Sequence, residues 1–401
     1  MSMATTIQSG RGQTVNAQPE SLLIIEQFLN EYYLFRRNEL NGKVEFATKT
    51  GDFRPLTQEA LNSIILRALR EGLGEECNPK TDIPLYVSSE EVPQYNPIQA
   101  YLNELPQWDG QNHVARLFSR FPGLSTEQHA FLAIWLRSAV AHWQQLDMLH
   151  GNEVVPVLIG AQGCGKTTFL RRLLPPQLRQ YYMDHLNLSN KFDKEMALTN
   201  NLLVNIDEFE TIRPSQQSSL KQTISKSKVN GRPIFGKTQE DRLRYASFVA
   251  TTNNPHPLQD ATGSRRYICL STPKGQQIDN TGDIDYDQLY AQVLYELHEK
   301  KAPYWFNNEE VTRLQELNLE YVQQKDIAEM VKVCFRKPQE GEKVKAICPS
   351  DILSVILKDF PSVPITHGTK TLIGTAMKEL GFEYYDHSHI KYYYAVPCRV
   401  A

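Results

Sequence analysis

The sequence predicts an α/β protein built on a parallel β-sheet flanked by helices, and three observations lead to this class. Apolar runs of strand length occur at 154–159, 202–206 and 245–252. Segments with the apolar spacing of helices lie between and around them. The first run leads directly into a glycine-rich turn and then into a helical segment at 166–174, which is the order of a phosphate-binding α/β unit.

The glycine-rich turn, residues 160–167, reads Gly-Ala-Gln-Gly-Cys-Gly-Lys-Thr and fits the pattern G-x-x-x-x-G-K-[ST]. Backbone N–H groups of such a loop converge on phosphate oxygens, Lys166 reaches the β and γ oxygens, and the Thr167 hydroxyl holds Mg²⁺. We therefore predict ATP and Mg²⁺ as cofactors. A glycine turn that merely carries a lysine is disfavoured by the flanking strand and helix. The predicted nucleotide-binding residues are Gly160, Gly163, Cys164, Gly165, Lys166, Thr167 and Thr168.

Two acidic residues follow the second apolar run. Asp207 is predicted to share the metal with Thr167, and Glu208 to orient or deprotonate the attacking water. The alternative is a solvated strand end, which the phosphate loop upstream disfavours.

Polar side chains also follow the third apolar run. Asn253 is the predicted sensor of the γ-phosphate, although Asn-Asn-Pro is also ordinary turn chemistry. Arg265 and Arg266 come soon afterwards, and a guanidinium can neutralise charge on the transferred phosphoryl group, in many such ATPases from a neighbouring subunit. Which arginine acts is left open, and both could be ordinary surface residues. The predicted catalytic residues are Lys166, Asp207, Glu208, Asn253, Arg265 and Arg266.

Between the acidic pair and the sensor, residues 221–244 are rich in Lys and Arg and carry turn signals. This pattern predicts a hairpin with a basic tip that grips the phosphates of a nucleic-acid strand, with a solvated loop as the alternative. The predicted nucleic-acid contacts are Lys226, Lys228, Arg232, Lys237 and Arg242.

Changes in composition divide the chain into six predicted regions. Long helices are expected over 19–40 and 307–332, and a helix–helix–hairpin layout after 349 predicts a winged-helix-like domain that binds either DNA or a protein. The regions are a disordered tail at 1–18, an α+β accessory region at 19–95, a helical bundle at 96–150, the ATPase core at 151–275, a helical linker at 276–345, and the winged-helix-like domain at 346–401.

Composition limits the other classes of function. The net charge is −3, with 41% hydrophobic and 22% charged residues, as in ordinary globular proteins. No apolar run approaches membrane-spanning length, so we expect no membrane partner. The six cysteines include no C-x-x-C pair, which favours reduced thiols in a cytoplasmic protein over a zinc site or a disulfide framework.

With these motifs placed, the chain resembles the virulence-associated protein E family, the helicase-like ATPases of prophages, satellites and conjugative elements that are related to superfamily 3 helicases. Residues 35–39, 44–46 and 101–110 are similar to the segment that precedes the ATPase in that family, so the resemblance covers about residues 30 to 270. It implies an AAA+-like core, ATP-driven unwinding of single-stranded or forked DNA, and a homo-oligomeric, hexameric ring.

The leading hypothesis is an ATP-dependent DNA helicase or replication-initiation ATPase of a phage or mobile genetic element. The alternative is a nucleotide-switched remodelling or loading ATPase that acts on a replication or host protein docked on the winged helix, without unwinding. Single-stranded DNA should raise the ATPase rate of a helicase, whereas a protein partner should raise the ATPase rate of a remodelling enzyme. A nucleotide kinase is disfavoured, because no arginine-rich lid segment follows the loop.

Overall fold

The structure is a computed structural model that describes residues 18–146, 152–186, 189–212, 214–231, 240–258, 262–322, 327–339, 341–361, 363, 365–387 and 390–398. Within these ranges, buried apolar side chains gather into separate clusters at the N-terminal region, on the two faces of a central sheet, and at the C-terminal region. None of the helices in these ranges has the length and apolarity needed to span a bilayer.

The N-terminal region is a small α+β unit. Its sheet has the order β3-β2-β1-β4, and β1 lies antiparallel to β2 and parallel to β4. The helix predicted over 19–40 is wrong beyond Tyr32, because the aromatic side chains of Tyr33 and Phe35 pack on Phe46 in a strand pair, which suits aromatic residues. The elements are α1 (Gln18–Tyr32), β1 (Tyr33–Asn38), β2 (Val44–Thr48), β3 (Arg54–Pro55), α2 (Gln58–Arg70), α3 (Pro79–Ser88) and β4 (Gln94–Tyr95).

Three helices then lead to the central sheet: α4 (Pro97–Asn103), α5 (His113–Phe118) and α6 (Thr126–Trp143). Ser125 and Gln128 form a capping box that starts α6. Trp135 of α6 is only 1% exposed and belongs to the cluster on one face of the sheet. This packing fixes the helical segment against the central sheet.

The central sheet has five parallel strands in the order β11-β5-β10-β7-β6, with helices on its faces. The predicted parallel α/β sheet is therefore confirmed, and β6 and β11 are additions that the sequence did not predict. The elements are β5 (Val155–Ile159), α7 (Lys166–Arg171), β6 (Tyr182–Met183), α8 (Lys191–Asn200), β7 (Leu203–Ile206), α9 (Pro214–Ile224), β8 (Lys228–Gly231), β9 (Glu240–Leu243), β10 (Ser247–Thr252) and β11 (Tyr267–Ser271).

The strand order decides where the polar residues meet. Strand β10 lies between β5 and β7, so the carboxyl ends of these three strands are adjacent at one edge of the sheet. Ligands bind at this edge of parallel sheets. The order therefore brings the segments after 159, 206 and 252 together.

Strands β8 and β9 form a separate antiparallel pair, with Lys228 opposite Leu243 and Gly231 opposite Glu240. This pairing agrees with the predicted hairpin. Residues 232–239, which include the predicted contacts Arg232 and Lys237, lie outside the described residues.

The helix predicted over 307–332 is wrong: α11 ends at Asn318, a 3₁₀ turn follows, and another helix begins at Ile327. Leu314 and Asn318 of α11 are buried, and the other described residues of 307–322 are exposed or half-buried. The remaining elements are α10 (Tyr286–His298), α11 (Asn308–Asn318), α12 (Ile327–Cys334), β12 (Phe335–Arg336), α13 (Pro349–Asp359), α14 (His367–Glu379), β13 (Tyr384–His387), β14 (Ile390–Tyr393) and β15 (Val396–Pro397).

The C-terminal region has its own core. Helices α12, α13 and α14 pack around Ile352, Ile373 and Tyr393, none of which has exposed surface. Strands β13 and β14 form an antiparallel hairpin, and β12 pairs with β15. The predicted order of two helices followed by a hairpin is confirmed, because α13 and α14 precede the paired strands β13 and β14.

Candidate active site

The loop between β5 and α7 needs its glycines. Gly163 and Gly165 have φ of +80° and +93°, in the left-handed region where a Cβ is unfavourable. A Cβ on Gly165 would also lie 2.5 Å from the side-chain nitrogen of Asn280. The tight curl of the loop at Gly165 therefore depends on both backbone freedom and the lack of a side chain.

Lys166 is 9% exposed, and its ammonium lies inside the curl of the loop. Nζ donates hydrogen bonds to the carbonyl oxygens of Gly160 at 2.7 Å and Ala161 at 3.0 Å, and to Oδ1 of Asn253 at 3.0 Å. An ammonium has three donors and no acceptor, so phosphate oxygens can replace these partners. The lysine thus links the loop directly to the predicted sensor.

The acidic pair lies at the tip of β7. Oδ1 of Asp207 accepts a hydrogen bond from the Thr251 hydroxyl of the neighbouring strand β10, which fixes that carboxylate. Glu208 has a φ of +50°, which is uncommon for a residue with a side chain. Both side chains are exposed.

Glu210 is a further carboxylate at this site, which the sequence analysis did not identify. Its Oε1 accepts the backbone N–H of Asn253 at 3.4 Å, and its Oε2 is buried without a hydrogen-bond partner among the described residues. The spacing Asp-Glu-Phe-Glu at 207–210 could have indicated it. Thr251 was missed as well, because a threonine inside a buried strand gives no signal in the sequence.

These residues share one cavity of about 380 Å³, the phosphate-loop cavity. Thr167 and Asp207 both line it, and they supply the hard oxygen atoms that Mg²⁺ prefers, with phosphate and water completing its shell. The residues present therefore fit a magnesium triphosphate. Gly160 and Cys164 are not among the lining residues, which are Gln162, Gly163, Gly165, Lys166, Thr167, Thr168, Asp207, Glu208, Glu210, Thr251, Thr252 and Asn253.

The segment 276–283, predicted as the start of a linker, packs back against the phosphate loop. Ile278 donates its N–H to the Cys164 carbonyl at 3.0 Å, and the Asn280 side chain donates to the Gly165 carbonyl at 3.0 Å. The Arg172 guanidinium, at the end of α7, donates to the carbonyls of residues 280 and 282. This strap (residues 276–283) therefore holds the loop through hydrogen bonds to its backbone.

Arg265 and Arg266 lie elsewhere. They line a second cavity of about 270 Å³, the arginine cavity, together with Asn152 and the aromatic segment 304–306. Arg265 is exposed, whereas Arg266 is half-buried and its Nε has no hydrogen-bond partner among the described residues. Neither arginine lines the phosphate-loop cavity of the same chain.

A buried asparagine fixes the turn that carries these arginines. Asn318 of α11 donates hydrogen bonds to the carbonyls of Ser264 at 2.8 Å and Tyr267 at 2.7 Å. The backbone that carries the two arginines is therefore held on both sides by α11.

The basic residues predicted to contact nucleic acid have different environments. Lys228 is exposed and Lys226 is half-buried. Arg242 donates to the Asn200 side chain at 3.1 Å and to the Met196 sulfur at 3.5 Å, so it lies against α8.

Arg244 anchors the base of the β8–β9 hairpin. It is 1% exposed, and its guanidinium donates to the carbonyls of Ala246 at 2.8 Å, Lys226 at 2.6 Å and Asn152 at 3.3 Å, and also to that of Ile224. Burial lowers the pKa of Arg244 to about 10. Because Asn152 lines the arginine cavity, this side chain connects the hairpin to that cavity.

Comparisons with solved structures give weak likenesses. The apo structure of the NrS-1 C-terminal region (305-718) is 14% identical, with a TM-score of 0.45 over 94% of this chain and 99% of that one. An A form of the same region is also 14% identical, with a TM-score of 0.46 over 93% and 98%. A structure named "SCCmec type IV Cch - active helicase" is 10% identical, with a TM-score of 0.33 over 91% and 93%.

A protein-family model matches more than half of the chain. No curated protein matches the chain. The model of the virulence-associated protein E-like domain matches residues 102–323, which is more than half of the chain and includes both cavities and the β8–β9 hairpin. The match agrees with the resemblance found in the motifs. The chain therefore belongs to the virulence-associated protein E-like domain family.

Proposed function

We propose that this chain is an ATP-dependent DNA helicase or replication-initiation ATPase of a phage or mobile genetic element. The observation that supports it most is the convergence of Lys166, Thr167, the carboxylates of 207–210 and Asn253 on one cavity at the carboxyl edge of the sheet. Phosphoryl transfer to water needs this combination of cation, metal ligands and water-positioning groups.

Six side chains in the phosphate-loop cavity have proposed roles. The Lys166 ammonium exchanges its carbonyl partners for β and γ oxygens, and Asn253 then hydrogen-bonds the γ-phosphate or the water. The Thr167 hydroxyl and the Asp207 carboxylate would hold Mg²⁺, which neutralises charge on the phosphate oxygens when bound. Glu208 orients and deprotonates the attacking water, and Glu210 fixes the backbone of Asn253.

We propose that the arginine acts in the phosphate-loop cavity of a neighbouring copy, so that the functional unit is a homo-oligomer, a hexameric ring. The support is the separation of the arginine cavity from the phosphate-loop cavity within one chain. Arg265 is the proposed finger, because its side chain is exposed and free to reach across an interface, whereas Arg266 is half-buried.

The proposed DNA contacts are the basic residues of the β8–β9 hairpin at 226–242, which would line the channel of the ring. The strand order supports an AAA+-like assignment for 151–275, since the sensor strand lies between the loop strand and the acidic strand. The helices and hairpin of 346–401 support a winged-helix domain.

An ATPase assay with and without single-stranded DNA, followed by strand displacement on a forked duplex, tests this proposal. We expect oligonucleotides to accelerate turnover, and unwinding to require ATP and Lys166. Lys166→Ala is compared with Lys49→Ala, which changes an exposed lysine in the N-terminal region. Turnover that ignores DNA and responds only to a protein partner would instead support a remodelling ATPase and reject the helicase.

A further inference from the structure

The β13–β14 hairpin has an unusual outer face. Alternation along β14 turns Tyr393 inward, where it has no exposed surface and its hydroxyl donates to the Gly374 carbonyl at 2.9 Å. The opposite face carries Tyr385 and Tyr392, which are directly cross-strand partners, with His387 and Ile390 beside them. The aromatic outer face (Tyr385, His387, Ile390 and Tyr392) therefore points away from the C-terminal core.

The two tyrosines of this face pack ring against ring. The rings of Tyr385 and Tyr392 are stacked, with centroids 5.4 Å apart and an interplanar angle of 13°. Tyr385 is 45% exposed and Ile390 is 47% exposed. The solvent face of an antiparallel hairpin normally carries polar side chains, so an aromatic row here indicates a binding surface.

The aromatic row continues into a cationic groove. The ring of Tyr394 lies 6.0 Å from that of Tyr385, and Tyr394 also lines a cavity of about 920 Å³. The same cavity is lined by Lys337, Lys343 and Lys345, which are all exposed.

The carboxylates of this cavity do not neutralise the positive charge of its lysines. Arg336 holds Glu342 through two hydrogen bonds of 2.9 Å and lowers the pKa of that carboxyl to about 2, so the negative charge of Glu342 is already balanced. Glu383 is the other carboxylate among the lining residues. Among the described residues that line the cavity, three lysines therefore face one other carboxylate, Glu383, and the groove favours an anion.

A second pair of cations lies on the other face of the hairpin. The ammonium groups of Lys378 and Lys391 lie 5.7 Å and 5.2 Å from the ring centroid of Tyr384. Asp386 is the cross-strand partner of Lys391, so the two lysines leave one net positive charge on this side of the hairpin.

We propose that the aromatic outer face and the lysine-lined cavity together form a binding site for single-stranded nucleic acid. Bases stack on Tyr385 and Tyr392, and phosphates contact the lysines of the cavity. The combination fits a single strand because its bases offer free π-faces and its backbone is a continuous anion, whereas duplex bases are stacked on one another. This site is separate from the β8–β9 hairpin and needs no nucleotide hydrolysis, so it extends the proposed function.

Fluorescence anisotropy on the full chain without nucleotide tests the stacking. The probes are an oligothymidylate and an abasic strand of the same length, which has the phosphates but not the bases. We expect the double variant Tyr385→Leu/Tyr392→Leu to bind the oligothymidylate roughly tenfold more weakly and the abasic strand unchanged. Tyr385→Phe/Tyr392→Phe keeps the rings and should bind as the native chain does. Tyr295→Leu, at another exposed tyrosine, is the matched control.

The role of the cavity lysines is tested by measuring how the affinity for the oligothymidylate depends on salt concentration. Lys343→Gln/Lys345→Gln should lower the slope of log affinity against log salt by about 1.4, since each phosphate contact to a single strand contributes roughly 0.7. Lys49→Gln/Lys80→Gln, at exposed lysines of the N-terminal region, should leave the slope unchanged.

Cross-linking of the native chain to a 5-iodouracil strand gives a readout that does not depend on variants folding. Cross-links at Tyr385 or Tyr392 support the proposal. Cross-links confined to residues 226–243, or equal binding by the Leu and Phe variants, overturn it and leave the aromatic face to a protein partner. Loss of the proposed ATPase activity would not affect any of these measurements, so the two proposals fail separately.

Discussion

The phosphate-loop cavity and the arginine cavity contain complementary halves of one predicted catalytic site. The first cavity holds a lysine, carboxylates and an amide, while the second holds two guanidiniums beside the aromatic segment 304–306. No lining residue is shared between them. The residues proposed for nucleotide binding and those proposed for charge neutralisation therefore line different cavities of the protomer, as expected if each copy completes the site of its neighbour.

The two cavities also differ in how their cations are held. Lys166 has acceptors at 2.7 Å and 3.0 Å and is held on the loop, so it is positioned in advance. The Arg266 Nε is buried without an acceptor among the described residues, and Arg265 is exposed. An unsatisfied buried donor is costly, which is consistent with a surface that acquires further contacts on assembly.

The largest effect is expected from Lys166→Ala. Removing the ammonium from the phosphate-loop cavity should lower turnover on the order of 10³-fold and should also weaken nucleotide binding, because the same cation contacts the ground state and the transition state. ATPase kinetics and titration with a fluorescent nucleotide measure the two effects. Unchanged nucleotide affinity would contradict the assigned position of this lysine.

Arg265→Ala should lower turnover on the order of 10³-fold without changing nucleotide affinity, because the arginine cavity is separate from the phosphate-loop cavity of the same chain. ATPase kinetics and titration with a fluorescent nucleotide measure turnover and affinity here as well. Arg265→Lys is the matched variant, and it should recover little activity because the planar fork is lost. If Arg265→Ala weakens nucleotide binding as Lys166→Ala does, the distinction between the cavities fails.

Arg244→Met should destabilise the protein by about 3 kcal/mol, because several backbone carbonyls lose a charged, fully buried donor. Urea unfolding measures this loss. Arg242→Met is the control, and it should cost about 1 kcal/mol because that guanidinium is only half-buried, although it donates to Asn200 and Met196 of α8. Equal losses would show that the hairpin is not anchored through Arg244 to the arginine cavity.

The smallest effect is expected from Asn280→Ala in the strap. Loss of the hydrogen bond to the Gly165 carbonyl should destabilise the position of the phosphate loop by about 1 kcal/mol. That free energy corresponds to about fivefold weaker nucleotide binding. Asn307→Ala, which removes the cap of α11 far from the loop, is the control. Unchanged nucleotide affinity in Asn280→Ala would show that the strap does not position the phosphate loop for nucleotide binding.

Much of the fold was predictable because it depends on local patterns. The buried strands β5, β7 and β10 are continuous apolar runs, and the loop motif fixes its own geometry through glycine and lysine. Strand β1 was missed because its aromatic residues continue the spacing of α1, and only pairing with β2 distinguishes the two structures.

The parts of the site that sequence reasoning missed depend on contacts distant in the chain. Asn280 meets Gly165 across 115 residues, and Thr251 meets Asp207 across 44. Neither pair has a local signature, so only the strand order and the return of the strap reveal them. The separation of Arg265 from Lys166 is likewise a consequence of tertiary packing, here of α11 on the turn through Asn318.

A mixing experiment tests the central claim most directly. Lys166→Ala chains keep the arginine cavity, and Arg265→Ala chains keep the phosphate-loop cavity, so each alone should be inactive. With random assembly at equal amounts, roughly a quarter of the interfaces combine two intact halves, and ATPase activity should return in about that proportion. Activity that stays at the sum of the separate variants would contradict a site shared between copies.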